Sequence, residues 1–356
     1  MAKERLFELQ ETKGSFQLSG VVTGTESEKF YKEGKTSTGK DKRSVNFGVS
    51  ATEGTAIYVG LDEYPQENVF FSKRTKSEDG KSKTETEKVA WANRMSFKKE
   101  GFKLIGVNLG LEKTVDEKGN TVNLKKTLVG FDACKEIGEK LVDGVSVFTK
   151  GTLDFSSFTD DKGNIRHFTK IKPNQISLCK DVDFTKEDYK PIANFEQVII
   201  FMKIEQEMEN DVATGRGIVS AKIVTYSTIE DAEFIVENVS LIKALKTLKP
   251  YTAIKVHGDI TQTVQAEEVE TDNVWGEANP MQKIQKSSKR EFIITGATPD
   301  TIDTTTYTKA LIEDAEAKIA KSKQAKNDFA EASDTDTVWG NSSPMTESDN
   351  DDDPWS

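Results

Sequence analysis

Two cysteines (Cys134 and Cys179) and two histidines (His167 and His257) are all that this chain of 356 residues carries. So few thiols cannot build a disulfide framework, and the four side chains are too scattered for a zinc site. No GxSxG, HExxH or CxxC motif is present, and neither histidine lies beside a nucleophile motif. No apolar run approaches the roughly 20 residues of a membrane helix, and the N-terminal MAKERLFELQ has no signal-peptide core. The expectation is a reduced, cytoplasmic protein (host cytoplasm if viral) with no catalytic residues, no metal and no cofactor. One near miss needs removing. Gly34-Lys35-Thr36-Ser37-Thr38-Gly39-Lys40-Asp41 resembles a phosphate-binding loop, but Asp41 stands where Ser or Thr must bind magnesium, and a strand pattern follows instead of a helix.

Charge is plentiful but unevenly placed. The net charge is −11, which taken whole argues against nucleic acid. Residues 1–190, however, carry 33 Lys/Arg against 30 Asp/Glu, and the remainder 16 against 30. Such asymmetry fits a binding body followed by an acidic tail.

The most informative stretch runs from Phe131 to Ile171. Phe131, Cys134, Ile137 and Leu141 have helical spacing, Asp143-Gly144 makes a turn, and then Val145, Val147, Thr149, Gly151 and Leu153 alternate as in a strand. Asp161-Lys162-Gly163-Asn164 is a hairpin turn into a returning strand, Ile165 to Ile171. A hundred residues later the unit recurs. Asn238 caps a helix carrying Leu241, Ile242, Leu245 and Leu248, and Pro250 stops it. Ile254, Val256, Gly258 and Ile260 then match Val147, Thr149, Gly151 and Leu153, and Lys289 to Ile294 matches Ile165 to Lys170, with Arg-x-Phe in both. A helix between the third and fourth strands of a five-stranded antiparallel sheet is the order of the oligonucleotide/oligosaccharide-binding (OB) barrel. The predicted class is therefore mainly β, with two tandem OB-like domains, a C-terminal helix and a disordered acidic tail.

The expected boundaries are 1–185 for the first domain, with a long basic finger at about 72–100, and 193–302 for the second, with an insertion at 263–288. A helix follows at 303–331, capped by Asp303 and carrying Tyr307, Leu311, Ala315 and Ile319. The tail is 332–356.

Single strands are held by cations along the phosphates and aromatics under the bases. The first domain offers Lys42, Arg43, Lys73, Arg74, Arg94, Lys98, Lys99 and Arg166 beside Phe47, Trp91, Phe97, Phe155, Phe158 and Phe168. Phe155 and Phe158 lie at a strand end that already has its core set, so at least one should be exposed. An aromatic in a strand is more often core than stacker, so the cluster carries the argument rather than any member.

The chain ends Ser348-Asp349-Asn350-Asp351-Asp352-Asp353-Pro354-Trp355-Ser356. This resembles the C-terminal tip of bacterial single-stranded-DNA-binding proteins, where several Asp precede a Pro and a terminal Phe. Here the aromatic is Trp355, and Ser356 follows it. In architecture the whole chain is similar to large single-stranded-DNA-binding proteins of bacteriophages. The resemblance implies a protein that coats single-stranded DNA and recruits replication or recombination proteins through Asp351, Asp352, Asp353, Pro354 and Trp355. A second repeat, D-x-V-W-G-x-x-x-P-M, occurs at 272–281 and 336–345, and offers Trp275 and Trp339 as docking residues. The alternative is a phage scaffold or protein-interaction component that binds no nucleic acid. Oligomeric state is open at this point.

Overall fold

The computed structural model describes residues 5–76, 82–160, 162–209, 211–268 and 284–334, with side chains omitted for 264–268, 284–288 and 326–334. Sixteen strands and three α-helices are present among them. In the first half these are β1 (Gly14–Thr23), β2 (Tyr31–Lys35), β3 (Asp41–Thr52), β4 (Thr55–Glu63), β5 (Asn68–Lys76), β6 (Ser82–Ala90), β7 (Lys103–Leu104), β8 (Val107–Val115), β9 (Thr121–Leu128), α1 (Gly130–Lys140), β10 (Ser146–Thr159) and β11 (Ile165–Leu178). In the second half they are β12 (Ile192–Glu209), β13 (Val212–Val224), β14 (Ile229–Val236), α2 (Val239–Leu245), β15 (Thr252–Glu268), β16 (Ile284–Asp303) and α3 (Lys309–Asp334). No helix among the described residues is long and apolar enough to cross a membrane.

The second half is a closed OB-like barrel. Antiparallel pairs join β12–β13, β13–β14, β15–β16 and β12–β15, and a parallel contact at Ile235 and Ile293 joins β14 to β16. Helix α2 sits between the third and fourth barrel strands. Its cap is Asn238, whose side chain accepts from the Ser240 and Leu241 amides, satisfying donors that the first turn leaves orphaned. The first half repeats the order with β1, β3, β4, α1, β10 and β11, but a long excursion, β5 to β9, enters before the helix. There β11 pairs in parallel with β8. It meets β4 through ion pairs, Lys170–Asp62 and Lys172–Glu63. The finger is the β5–β6 hairpin, which with β7 makes a separate three-stranded sheet. Its polar stretch from Ser82 is therefore strand where the sequence reads as loop; 77–81 lie outside the described residues. The polar, glycine-containing stretch 23–42 contains β2, and the Gly34–Asp41 segment is a hairpin tip between β2 and β3.

The duplication is visible in the register. Phe16 of β1 lies opposite Gly151 of β10, and Phe195 of β12 lies opposite Gly258 of β15. Both glycines sit at register shifts in the pairing with the returning strand. At each, a Cβ would collide with a carbonyl of that strand, Lys172 in one copy and Ile293 in the other. Only glycine lets the backbones come that close. Gly258→Ala must push β16 away and is expected to cost about 1–3 kcal/mol of stability; thermal unfolding checks this, with Gly34→Ala, which meets open space, as the control.

The same register corrects one sequence match. Ile171 faces Leu153 and Phe292 faces Ile260. Phe292 is therefore the counterpart of Ile171, not of Phe168, and the Arg-x-Phe likeness is slipped by three residues. The returning strands share an alternating pattern, and a fortuitous identity outweighed the buried set.

The barrels are fused. β1 pairs antiparallel with β12, Phe16 opposite Phe195, so the equivalent phenylalanines of the two copies face each other across an approximate two-fold axis. The apolar core is correspondingly continuous from Leu18 and Phe47 in one barrel to Phe234 and Val256 in the other. Four rings lock the seam: Phe155 of the first barrel contacts Phe234 and Phe292 of the second at centroid separations of 6.2 and 6.5 Å. Phe195 stacks on Phe234 at 5.9 Å. Helix α3 covers the outside of barrel two, burying Ile312, Ala315 and Ile319 with Ile200, Val224 and Ala253. Leu311, expected in that stripe, is exposed, and Ile312 takes its place. Asp303 caps the turn at Thr305 and Thr306 instead of the helix, which starts later and runs past the expected end at 331.

Candidate nucleic-acid interface

The β10–β11 hairpin carries the most exposed aromatic pair of the first barrel. Its strands run beyond the barrel to a turn closed by Asp160, whose carboxylate accepts from the Lys162 and Asn164 amides, with Gly163 at φ +82°. Those bonds, led by Asn164 and opposed by burial, hold the Asp160 carboxyl below the usual carboxylate range. Directly paired residues share a face. Phe158 pairs with Arg166 and Ser156 with Phe168, so Phe158, Arg166 and Phe168 lie on one face. Phe158 is 54% and Phe168 47% exposed, and their rings are tilted with centroids 5.9 Å apart. Arg166 pairs with Asp160 at 3.1 Å while staying open to solvent.

The opposite face of the hairpin looks across the seam. A cleft of about 1100 Å³ at the seam is lined by the 165–169 stretch of β11, with Arg166 and Phe168 of the platform at its margin, and by Lys203, Lys222, Glu233 and Arg290 from barrel two. Lys222 is held by Asp231 and Glu316, both at 2.8 Å. Lys203 contacts Glu205 at 2.6 Å near the surface. Arg290 is largely enclosed, and burial pushes its guanidinium below the ordinary arginine value. Sequence reasoning missed Lys203, Lys222 and Arg290 because they come from a copy whose composition is acidic, and only folding brings them beside the first barrel.

The other expected binding residues are dispersed. Phe47 is in the barrel core and Phe155 is in the seam, so neither can stack on a base. Both obey strand alternation; the inward positions simply extend farther than the first barrel alone requires. Trp91 and Phe97 are half-buried in the satellite core of the finger, Trp91 edge-on to Phe131 and Phe97 against Phe71 at 4.6 Å. Several cations are committed within the chain. Arg43 joins Glu33 at 2.8 Å and covers the Phe131 ring. Arg94 joins Asp132 at 2.7 Å and covers Trp91. Lys42 joins Asp62 at 3.0 Å, and Lys99 joins Glu87. Burial pushes the Asp62 carboxyl up, but hydrogen bonds from Lys170 and Lys42 outweigh it and hold the group ionised. Lys73, Arg74 and Lys98 make no ion pair among the described residues, and Arg74 donates to Ser82 at 3.1 Å. Trp275, Trp339, Asp351, Asp352, Asp353, Pro354 and Trp355 lie outside the described residues. Among the described residues no group of three or more His, Cys, Asp or Glu could hold a metal ion.

Fold and site define a mainly β protein of two fused OB-like barrels with a cation-bearing cleft at their seam. The chain belongs to the YorF family, which matches residues 77–332. No curated protein matches the sequence. Among solved structures the chain is similar to the wild-type single-stranded DNA binding protein from Thermus aquaticus, at 8% identity and a TM-score of 0.38, over 81% of this chain and 93% of that one. A deletion mutant of the same protein matches at 9% identity and a TM-score of 0.37, over 81% and 94%.

Proposed function

We propose that this protein binds single-stranded DNA without sequence preference and is not an enzyme. The observation that carries the reading is the Phe158–Phe168 pair with Arg166 on the same hairpin face. Every base has a π-face, so two open rings accept any sequence, and a neighbouring guanidinium suits a phosphate. The cleft at the seam and Lys73, Arg74 and Lys98 of the finger region, which make no ion pair among the described residues, extend the positive track. Coating of the strand follows if successive copies occupy it.

Fluorescence anisotropy of labelled poly-dT at several salt concentrations tests this. Log affinity should fall linearly with log salt, each neutralised phosphate contributing roughly −0.7 to the slope, and duplex should compete poorly. Absence of binding at low salt would sink the reading and leave a scaffold built on the two Trp-Gly segments. The acidic segment 348–356 is assigned to recruiting replication or recombination proteins and to competing with DNA for the cations. Removal of residues 345–356 should therefore tighten DNA binding at low salt; weaker binding would end the competition idea.

A further inference from the structure

We infer that the cleft at the seam holds one phosphodiester of the bound strand on Arg290, so that the strand crosses from the first barrel to the second. This rests on the single-strand reading above and assigns its central cation.

Arg43, Arg94 and Arg216, the other arginines with little exposed side chain, each have a carboxylate within 2.8 Å. Arg290 has none among the described residues. Its Nη1 donates to the Thr169 carbonyl at 2.9 Å, and its Nε lies 3.4 Å from Gln262 Oε1. A guanidinium has five N–H donors in a planar fork; among the described residues Nη2 has no hydrogen-bond partner, and the side chain lines the cleft. A buried cation without a counter-charge is costly to the folded state. A phosphodiester supplies the missing charge and matches the fork with two oxygens.

Position supports the same assignment. By register Arg290 is the counterpart of Thr169, and Gln262 the counterpart of Phe155. The fold tolerates a threonine at the equivalent site, so the barrel does not need an arginine there. Arg290 and Thr169 touch each other where the approximate two-fold axis passes.

The test uses the full chain with Arg290→Met and Arg290→Lys. Removing an unpaired buried charge should leave the melting temperature unchanged or raise it, while affinity for poly-dT at low salt falls about tenfold and the salt slope loses about 0.7. Arg290→Lys should restore the slope but not the full affinity, because an ammonium cannot match two oxygens at once. A lower melting temperature for Arg290→Met with unchanged affinity and slope would make Arg290 a structural tie to Thr169 and overturn the inference. That result leaves the single-strand reading intact provided Phe158→Ala still weakens binding. Loss of all binding by the wild-type chain would instead remove the reading itself.

Discussion

Replacing Phe158 and Phe168 together with alanine should lower affinity for poly-dT by at least about 30-fold without changing the salt slope. Stacking contributes roughly 1–3 kcal/mol per base, so two rings account for about 2–6 kcal/mol, and the lower bound is already more than tenfold. The slope should hold because no cation is removed. Stability should also hold. Both rings are about half exposed, they contact each other, and they lie beyond the part of the hairpin that packs in the core. This separates the platform from a structural role: a core pair would lower the melting temperature, while a platform pair lowers only affinity. Equal binding by the double variant and the wild-type chain would move the stacking site off this hairpin. The finger would be the next place to look, although Trp91 and Phe97 are engaged there with Phe131 and Phe71.

Much of the barrel was legible because its signals are local. The alternation Val147, Thr149, Gly151, Leu153 and its recurrence at Ile254, Val256, Gly258, Ile260 follow from the period of a strand. The helix at Phe131, Cys134 and Ile137 is buried on the face its spacing predicts. The three-residue step from Phe155 to Phe158 was readable too: at period two the side chains point to opposite faces, so one of the two had to leave the core. What could not be read was long-range. Nothing in the local pattern of β1 tells that its edge is taken by β12, because an edge that pairs within a barrel and one that pairs between barrels show the same alternation. For that reason Phe155 looked spare once the first barrel was filled, when it belongs to the second barrel's aromatic set. Cations were misjudged for a related reason. Arg43 and Arg94 read as available until Asp132, from a helix far along the chain, is placed beside both. In the sequence Arg290 is only part of a repeated strand, and its lack of a carboxylate among the described residues is a property of three-dimensional surroundings.

Phe155→Ala should be the most destabilising single truncation at the seam, by about 3–5 kcal/mol. The ring is buried, its partners Phe234 and Phe292 are core residues of the other barrel, and the β-strands around it cannot collapse into the space without shifting the β10–β11 pairing. Close-packed interiors lose both transfer free energy and dispersion contacts when such a gap opens. The melting temperature should fall on the order of 10 °C. Gln262, its counterpart in the other copy, makes no such cluster, so Gln262→Ala should be mild. Because Phe155 joins the barrels, its loss should also affect function at a distance: the hairpin that carries Phe158 and Phe168 is seated through this residue on barrel two. Conditions well below the new melting temperature should therefore still show weaker binding to long poly-dT, with a reduced salt slope as Arg290 loses its alignment with the platform. A variant that melts lower yet binds long and short strands as the wild type does would show that the two barrels bind independently, and that the seam holds the fold without aligning the strand.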